Sequence, residues 1–166
     1  MNLPTGVLRT AGKSIVSFPA RQELENLSLN NFSGYTIETL LGLNGIEESA
    51  LLFRNGQGIG ASYEYYGSHA TLNGDDSLVH VFNAFASKSG VIDVMDLSVQ
   101  QVDLVTAFNA SIKFSKPLAK SQLKSLVKEE YDSTLGEKIS SSAKTALPQT
   151  KESLFQKFGL SGIDGK

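Results

Sequence analysis

The sequence contains no cysteine among its 166 residues. This absence excludes disulfide bonds, thiolate nucleophiles and cysteine-based zinc or iron–sulfur sites. It fits a reducing compartment. Together with the lack of a signal-like apolar segment in residues 1–18, it predicts a cytoplasmic protein. Apolar runs such as 50–53 are far too short to cross a bilayer, so no transmembrane segment is expected.

Catalytic and metal-binding motifs are also scarce. The two histidines, His69 and His80, stand in neither an H-x-x-x-H nor an H-E-x-x-H pattern that would bind zinc. The sequence lacks a complete G-x-x-x-x-G-K-S/T phosphate loop, because Val7 stands where Gly12-Lys13-Ser14 would need its first glycine, and it lacks an Asp-x-Asp-x-Asp-Gly calcium loop. The composition therefore predicts no enzyme activity, no metal and no cofactor. His80 is expected at the surface or boundary of a core helix.

The acidic doublets have simpler explanations than acid–base chemistry, which needs two carboxylates facing one substrate. Glu47 and Glu48 lie in a predicted strand, where neighbouring side chains point to opposite faces, so at least one of them should face solvent. Asp75 and Asp76 stand at the start of a predicted helix, where either carboxylate can cap free amide groups. Neither doublet is therefore expected to be catalytic.

The amount and distribution of charge limit the kind of partner. A chain of this length, with 40% hydrophobic residues, can bury a core without a disulfide or a metal. Its net charge of −2 argues against a dedicated nucleic-acid binder, which is usually strongly basic. Residues 1–110 carry five basic and eleven acidic side chains, whereas 111–166 carry ten basic and six acidic ones. This asymmetry indicates two functional zones.

An antiparallel meander is predicted in the first half of the chain. Strands are predicted at 14–18, 35–43, 46–54 and 59–66. Asn44-Gly45 is a strong two-residue hairpin signal, and residues 55–58 form a second turn. Residues 56–61 formally match the dinucleotide fingerprint G-x-G-x-x-A. An aromatic, strand-like segment follows instead of the required helix, so a hairpin turn is the favoured interpretation.

Helices are predicted at 20–27, 75–89 and 98–113, with a further strand at 91–95. The helix at 98–113 begins with a capping box formed by Ser98 and Gln101. Its inward-facing residues are expected to be Val102, Val105, Phe108 and Ile112.

Lys116-Pro117 marks the predicted boundary between a core domain, residues 1–115, and a helical C-terminal extension, residues 116–166. The extension is expected to hold a helix with a narrow apolar stripe over 123–135 ending at Gly136, a linker at 140–149 and a final helix at 150–158.

Tyr63 and Tyr65 are candidate binding residues because they share one strand face. Tyrosine combines an apolar ring with a polar tip and is favoured at binding surfaces. The simpler alternative is a strand whose rings pack half-buried under a helix. An enzyme or small-ligand sensor would use the loop 67–75, with a pocket lined by His69 and one of these tyrosines.

Lysines recur every three or four residues near the predicted boundary. Lys120, Lys124 and Lys128 continue a series that begins at Lys113 and Lys116. On one continuous helix they would form a basic stripe able to meet an acidic protein, anionic lipid or a phosphate backbone. A solvated helix face is the simpler alternative.

Several motifs carry a resemblance to known proteins. They are residues 32–35 (FSGY), 56–65 (GQGIGASYEY), 73–78 (NGDDSL) and 90–94 (GVIDV). Over roughly residues 5–112 the sequence resembles an archaeal family of uncharacterised proteins, a domain of unknown function. It is also similar, more distantly, to the PATAN-type domain found beside response-regulator modules, although Ser77 stands where that pattern usually has alanine. The resemblance implies a non-catalytic α+β module in signalling or protein interaction, without a cofactor.

The sequence as a whole predicts an α+β fold in which a mainly antiparallel sheet packs against two core helices. The first functional hypothesis is a non-catalytic protein-interaction or regulatory module, with self-association as one form of that interaction. The second is a small-ligand sensor or enzyme that uses the loop 67–75. The third is an adaptor to an anionic surface through the C-terminal lysines.

Overall fold

The structure, a computed structural model, describes residues 3–145. A mixed sequence of strands and helices builds one antiparallel sheet with helices on both faces. Its strands are β1 (Val7–Ser14), β2 (Gly34–Gly42), β3 (Gly45–Arg54), β4 (Gln57–Tyr65), β5 (Ala70–Asn73), β6 (Val91–Asp96) and β7 (Lys113–Leu118). The helices are α1 (Ala20–Leu29), α2 (Leu78–Ala84), α3 (Val99–Phe108), α4 (Lys120–Leu126) and α5 (Thr134–Thr145). The predicted α+β class is confirmed.

The sheet has the order β1-β6-β2-β3-β4-β5, and β7 also pairs with β4. Its described strand pairs are all antiparallel. The predicted meander forms its centre, because β2, β3 and β4 follow one another through tight turns. At Asn55-Gly56 both turn residues have positive φ, 50° and 78°, whereas at the first turn only Gly45 does, with φ 117°. The second hairpin therefore has the stricter conformational requirement.

Both faces of the sheet are covered, which explains why the middle of β3 is apolar without alternation. Leu51 and Phe53 enter a main core with α1, α2 and α4 on one face, whereas Leu52 enters a second core under α3 on the other face. All three side chains are completely buried. We call these two sides the main-core face and the α3 face.

The starts of α2 and α3 test the two helix caps that the sequence predicts. The predicted capping box of α3 is confirmed: the Gln101 amide donates to Ser98 Oγ over 3.2 Å, and the Ser98 amide donates to Gln101 Oε1 over 2.9 Å. The expected aspartate cap at the start of α2 is wrong, because neither the preceding 3-10 turn nor α2 has a side-chain cap. Asp75 instead accepts hydrogen bonds from the Ser115 amide at 3.2 Å. It thereby joins this turn to β7.

The N-terminal strand lies earlier than predicted. β1 ends at Ser14, and residues Ile15–Ser17 form a 3-10 turn. β1 pairs with β6, which is more than 75 residues away in sequence. Such a partner leaves no local signal, whereas the short alternation at 14–18 resembles a strand without being one.

The C-terminal region also differs from its prediction. The boundary between 115 and 116 falls inside β7, and α4 packs on α1. Leu123 and Val127 belong to the main core, so this part of the chain is integrated with the sheet. The expected linker at 140–149 is helical up to Thr145, within α5, and the predicted helix at 150–158 lies outside the described residues. The helices of residues 3–145 all fall short of the length and apolarity that a bilayer-spanning helix needs.

Candidate functional site

A polar cluster lies within the main-core face where β3 and β4 pair. The register places Glu47 beside Tyr65 and Ser49 beside Tyr63. The Tyr63 hydroxyl donates to Glu47 Oε2 over 2.5 Å, and the Tyr131 hydroxyl approaches the same oxygen at 3.4 Å. The polar cluster comprises Glu47, Tyr63, Tyr65, His80 and Tyr131.

His80 reaches the polar cluster from α2. Its Nδ1 lies 2.6 Å from the Tyr65 hydroxyl, and its ring packs 5.6 Å from that of Tyr63, centre to centre. Burial lowers the pKa of His80, and the charge of Lys128 lowers it further. Burial also raises the pKa of Tyr65. Both groups are therefore neutral near pH 7, and one hydrogen bond joins the phenol to Nδ1, with the donor set by the tautomer of the imidazole.

The acidity of the remaining groups follows from the same burial. Burial raises the pKa of Glu47 although the hydroxyls of Tyr63 and Tyr131 lower it by donating to the carboxylate. The pKa of Tyr131 is raised to about 12 by burial and by the charge of Glu47. The phenols of Tyr63 and Tyr131 thus remain protonated and donate to the Glu47 carboxylate. These polar groups therefore satisfy one another within the interior.

The segment after α4 closes over the polar cluster. Asn83 on α2 holds the backbone of Asp132 through two hydrogen bonds, of 2.8 and 3.1 Å. A Cβ at Gly136 in α5 would lie 3.4 Å from both Glu47 and Tyr65. The start of α5 therefore sits directly on these side chains, and the cluster belongs to the interior.

This placement decides between the two interpretations of the tyrosine strand. Tyr63 and Tyr65 do share a face and pack under helices, but at 1% and 4% exposed they are buried more deeply than the half-buried rings of the packing alternative. His80 was expected at the surface or boundary of its helix, but it is only 8% exposed, because α2 turns it towards the tyrosines. Glu47 and Glu48 do point to opposite faces, with Glu47 buried and Glu48 partly exposed.

A second buried carboxyl, Glu38, was not identified from the sequence. It lies on β2 beside Ser49, whose hydroxyl donates to Glu38 Oε2. Within the described residues, Glu38 Oε1 and Thr36 Oγ1 have no hydrogen-bond partner. Burial raises the pKa of Glu38 to about 8, so the carboxyl is mostly protonated near pH 7. A proton on Oε1 can then be donated towards Thr36, two residues away on the same face.

A signal for Glu38 was nevertheless present. In the period-2 pattern of β2, Thr36, Glu38 and Leu40 share one face, and the apolar Leu40 indicates that this face is internal. The strand's propensity alone carries no such information, because glutamate in a strand normally points to solvent.

The loop 67–75 does not bring its predicted residues together. His69 is exposed and has a left-handed conformation with φ 53°. The rings of Tyr63 and Tyr65 pack on His80 instead, and Asp75 is bonded to Ser115. The predicted pocket of His69 with a tyrosine is therefore absent from the described part of the chain.

The lysine series is divided among a strand, a helix and the loop that follows the helix. Lys113 and Lys116 belong to β7, so the five lysines do not lie on the one continuous helix that a basic stripe requires. Lys120 is the first residue of α4, and Lys124 follows it by one helical turn. The Lys120 amine donates to Asn31 Oδ1 over 2.5 Å, and the Lys124 amine donates to the Glu25 carboxylate. Lys128 lies beyond α4 and is 4.0 Å from the Asp132 carboxylate.

A depression lies on the opposite face of the sheet, beside α3. This α3 groove has a volume of about 620 Å³ and is lined by Leu3, Pro4, Gln101, Leu104, Val105, Phe108 and Asn109. Leu104 is 56% exposed and Phe108 84%. Large apolar side chains exposed side by side along a groove are typical of interaction surfaces.

The apolar surface of α3 is wider than the core beneath it. Val102 and Val105 enter the second core as predicted, but the inward placement of Phe108 is wrong. Leu104 and Phe108 are four residues apart and form a second row on the helix, beside the buried row. This row faces the α3 groove and is uncovered by the described residues.

Within the described residues no group of three or more histidine, aspartate or glutamate side chains is placed to hold a metal ion.

Comparison with known proteins identifies a family. No curated protein and no solved structure matches the chain. The model of the family described as uncharacterized protein conserved in archaea (DUF2226) matches residues 1–109, from the N-terminus to just past the end of α3. The chain therefore belongs to this archaeal family, as its motifs predicted.

Proposed function

We propose that this protein is a non-catalytic interaction module that binds an uncharged, apolar surface of a protein partner through the α3 groove. The observation that carries the proposal is the exposure of Leu104 and Phe108 along a groove that lies within the family-matched residues. Fully burying a side chain of this size stabilises a complex by about 1.5–3 kcal/mol. A monomer that leaves both exposed therefore keeps a substantial driving force for binding.

The arrangement of the titratable groups supports a non-catalytic role. Tyr63 and Glu47 bond one another, as do Tyr65 and His80, beneath α5. These groups therefore bond one another in the interior of the fold, on the opposite side of the sheet from the α3 groove. The small-ligand and enzyme hypothesis, which relied on His69 meeting a tyrosine, receives no support from this geometry.

The lysine-rich surface is a weaker candidate for binding. Lys120, Lys124 and Lys128 each have a polar or acidic group of the same chain beside the amine. An anionic lipid or phosphate would have to compete with these contacts, so the proposal favours the apolar groove. The proposal also includes a role in signalling, which the family resemblance suggests. It includes a cytoplasmic location as well, which the cysteine-free composition suggests.

Affinity capture from an archaeal cell extract tests this function. The bait is compared as wild type, as the double variant Leu104→Ser/Phe108→Ser and as Leu29→Ser. Leu29 is the matched control because it is a helical leucine, 66% exposed, on the opposite side of the sheet. We expect the double variant to lose at least one protein that both other baits retain. Equal capture by all three baits would contradict the proposal.

A further inference from the structure

Two carboxylates lie side by side on the α3 face of the sheet. The register pairs Glu48 on β3 directly with Glu64 on β4, and both side chains are partly buried. Side chains paired in this way have Cβ atoms about 5 Å apart, and like charges at that separation destabilise a sheet. Burial raises the pKa of Glu48, and the charge of Glu64 raises it further. The fold therefore holds two carboxylates together that repel each other.

The surroundings do not balance the charge of this carboxylate pair. In the part of the chain that the structure describes, no lysine, arginine or histidine forms an ion pair with Glu48 or Glu64. The positive charge of the chain's amino terminus does lower the pKa of Glu48, but one ammonium group cannot neutralise two carboxylates. Burial raises the pKa of the neighbouring Tyr66, and the charges of Glu48 and Glu64 raise it further. The tyrosine is therefore neutral, and a net negative charge remains.

A serine hydroxyl opens onto the same place. Ser62 lies two residues before Glu64 and pairs with Ala50, so these residues share one face with Glu48. Together with Leu3 they line a hollow of about 10 Å³, which is room for one water molecule or one ion. Ser62 is only 6% exposed, and its hydroxyl has no hydrogen-bond partner among the described residues. Since buried polar groups are normally bonded, this hydroxyl indicates a ligand that the chain itself does not supply.

The atoms around the hollow determine which ligand fits. Two carboxylates and a hydroxyl offer only oxygen atoms, which hard divalent cations such as Mg²⁺ and Ca²⁺ prefer and softer metals do not. Threonines flank the pair on the neighbouring strands, with Thr39 opposite Glu48 on β2 and Thr71 opposite Glu64 on β5. A cation at this point would remove the repulsion between the carboxylates, and water would complete its coordination shell.

We propose that Glu48, Glu64 and Ser62 form a binding site for a hard divalent cation, Mg²⁺ or Ca²⁺, that bridges β3 and β4. The site is independent of the function proposed for the α3 groove, although Leu3 lines both the hollow and the groove. With only two charged ligands, the site has a modest affinity, with a dissociation constant of about 0.1–1 mM. Because the cation binds the folded chain, it stabilises the fold.

Calorimetric titration of the metal-free full chain with MgCl₂ and with CaCl₂ tests the site. We expect one cation to bind per chain for at least one of the two salts. Glu48→Gln/Glu64→Gln should weaken binding at least tenfold, and Ser62→Ala at least twofold. Glu129→Gln/Glu130→Gln is the matched control, because it removes the same charge from exposed positions, and it should bind like the wild type. A wild type that binds neither ion, or equal binding by the Glu48→Gln/Glu64→Gln variant, would overturn the proposal.

Thermal unfolding shows whether the variant is folded and whether the ion acts on the fold. Without metal, Glu48→Gln/Glu64→Gln should unfold at a temperature at least as high as the wild type, because the substitution removes a repulsion. The saturating salt should raise the unfolding temperature of the wild type and of the control, but not that of this variant. An equal rise in all three proteins would contradict the site.

Paramagnetic broadening of NMR signals locates the ion. A small amount of Mn²⁺, which prefers the same oxygen ligands, should broaden the amide signals of Glu48 and Glu64 more than any others. Strongest broadening outside β3 and β4 would overturn the proposal. An N-terminally acetylated chain is titrated in parallel. If only the acetylated chain bound the ion, the amino group would be the natural occupant of the hollow, and the proposal would be refuted.

Discussion

Replacing Glu38 by glutamine should stabilise the protein increasingly as the pH rises. In the unfolded chain this carboxyl has its ordinary pKa of 4.5, whereas burial raises the pKa in the folded protein to about 8. Between these values the folded state holds a proton that the unfolded state releases, so stability falls as the pH rises. Each pH unit well inside this window costs about 1.4 kcal/mol.

The magnitude can be expressed as a change between two conditions. From about pH 5 to about pH 8, the Glu38 linkage removes about 3 kcal/mol of the wild type's unfolding free energy. Glu38→Gln removes this contribution, since its amide does not titrate. The amide can still accept a hydrogen bond from Ser49 and donate one towards Thr36. The advantage of the variant over the wild type should therefore grow by about 3 kcal/mol across this interval.

Urea unfolding followed by circular dichroism at several pH values measures this difference. Subtracting the wild type from the variant cancels the other titrating groups, because they are common to both proteins. Glu130→Gln, at an exposed position, is the control and should stay within about 0.5 kcal/mol of the wild type throughout. If the Glu38→Gln difference stayed constant with pH, the buried neutral carboxyl would be refuted.

Two further predictions concern the interior and a turn. Tyr65→Phe should destabilise the protein by about 1–3 kcal/mol, because it leaves the buried His80 Nδ1 without its hydrogen-bond partner. Calorimetry measures the loss, with Tyr66→Phe as the exposed control. A smaller effect than that of the control would contradict the bond. Gly56→Ala should cost more than about 1 kcal/mol, since φ is 78° and an added Cβ would overlap the Ser28 carbonyl oxygen. Unchanged thermal unfolding would refute that steric argument.

Local signals account for the parts of the fold that the sequence predicted correctly. The hairpins around Gly45 and Gly56 and the Ser98 capping box depend on residues within a few positions of one another. The buried face of α3 was likewise visible in the spacing of Val102 and Val105. Such features require no knowledge of distant partners, which is why pattern analysis detects them.

The parts of the fold that were not predicted from the sequence depend on contacts between residues that are far apart in the chain. β7 joins the sheet by pairing with β4, more than fifty residues earlier, while the spacing of its lysines matches that of the lysines in α4. Phe108 fits the inward helical pattern, but α3 ends there and the core beneath it is narrower than the apolar face. The kinship to PATAN-type domains stays a prediction.

The candidate sites differ in how far the sequence could locate them. The pairing of Tyr63 and Tyr65 on one face was foreseen, but their contact with His80 required the placement of α2 against β4. Whether an apolar residue such as Leu104 is covered depends on the entire tertiary structure. The α3 groove was therefore not predicted, although the idea of an interaction module was.

Hydroxyl-radical footprinting of Phe108 tests the central claim most directly. The oxidation rate of this side chain is compared between the free protein and the protein bound to a captured partner, with Leu29 as the internal reference. We expect oxidation of Phe108 to fall severalfold on association while Leu29 stays unchanged. Equal oxidation of Phe108 in the free and associated protein would contradict the α3 groove as the binding surface.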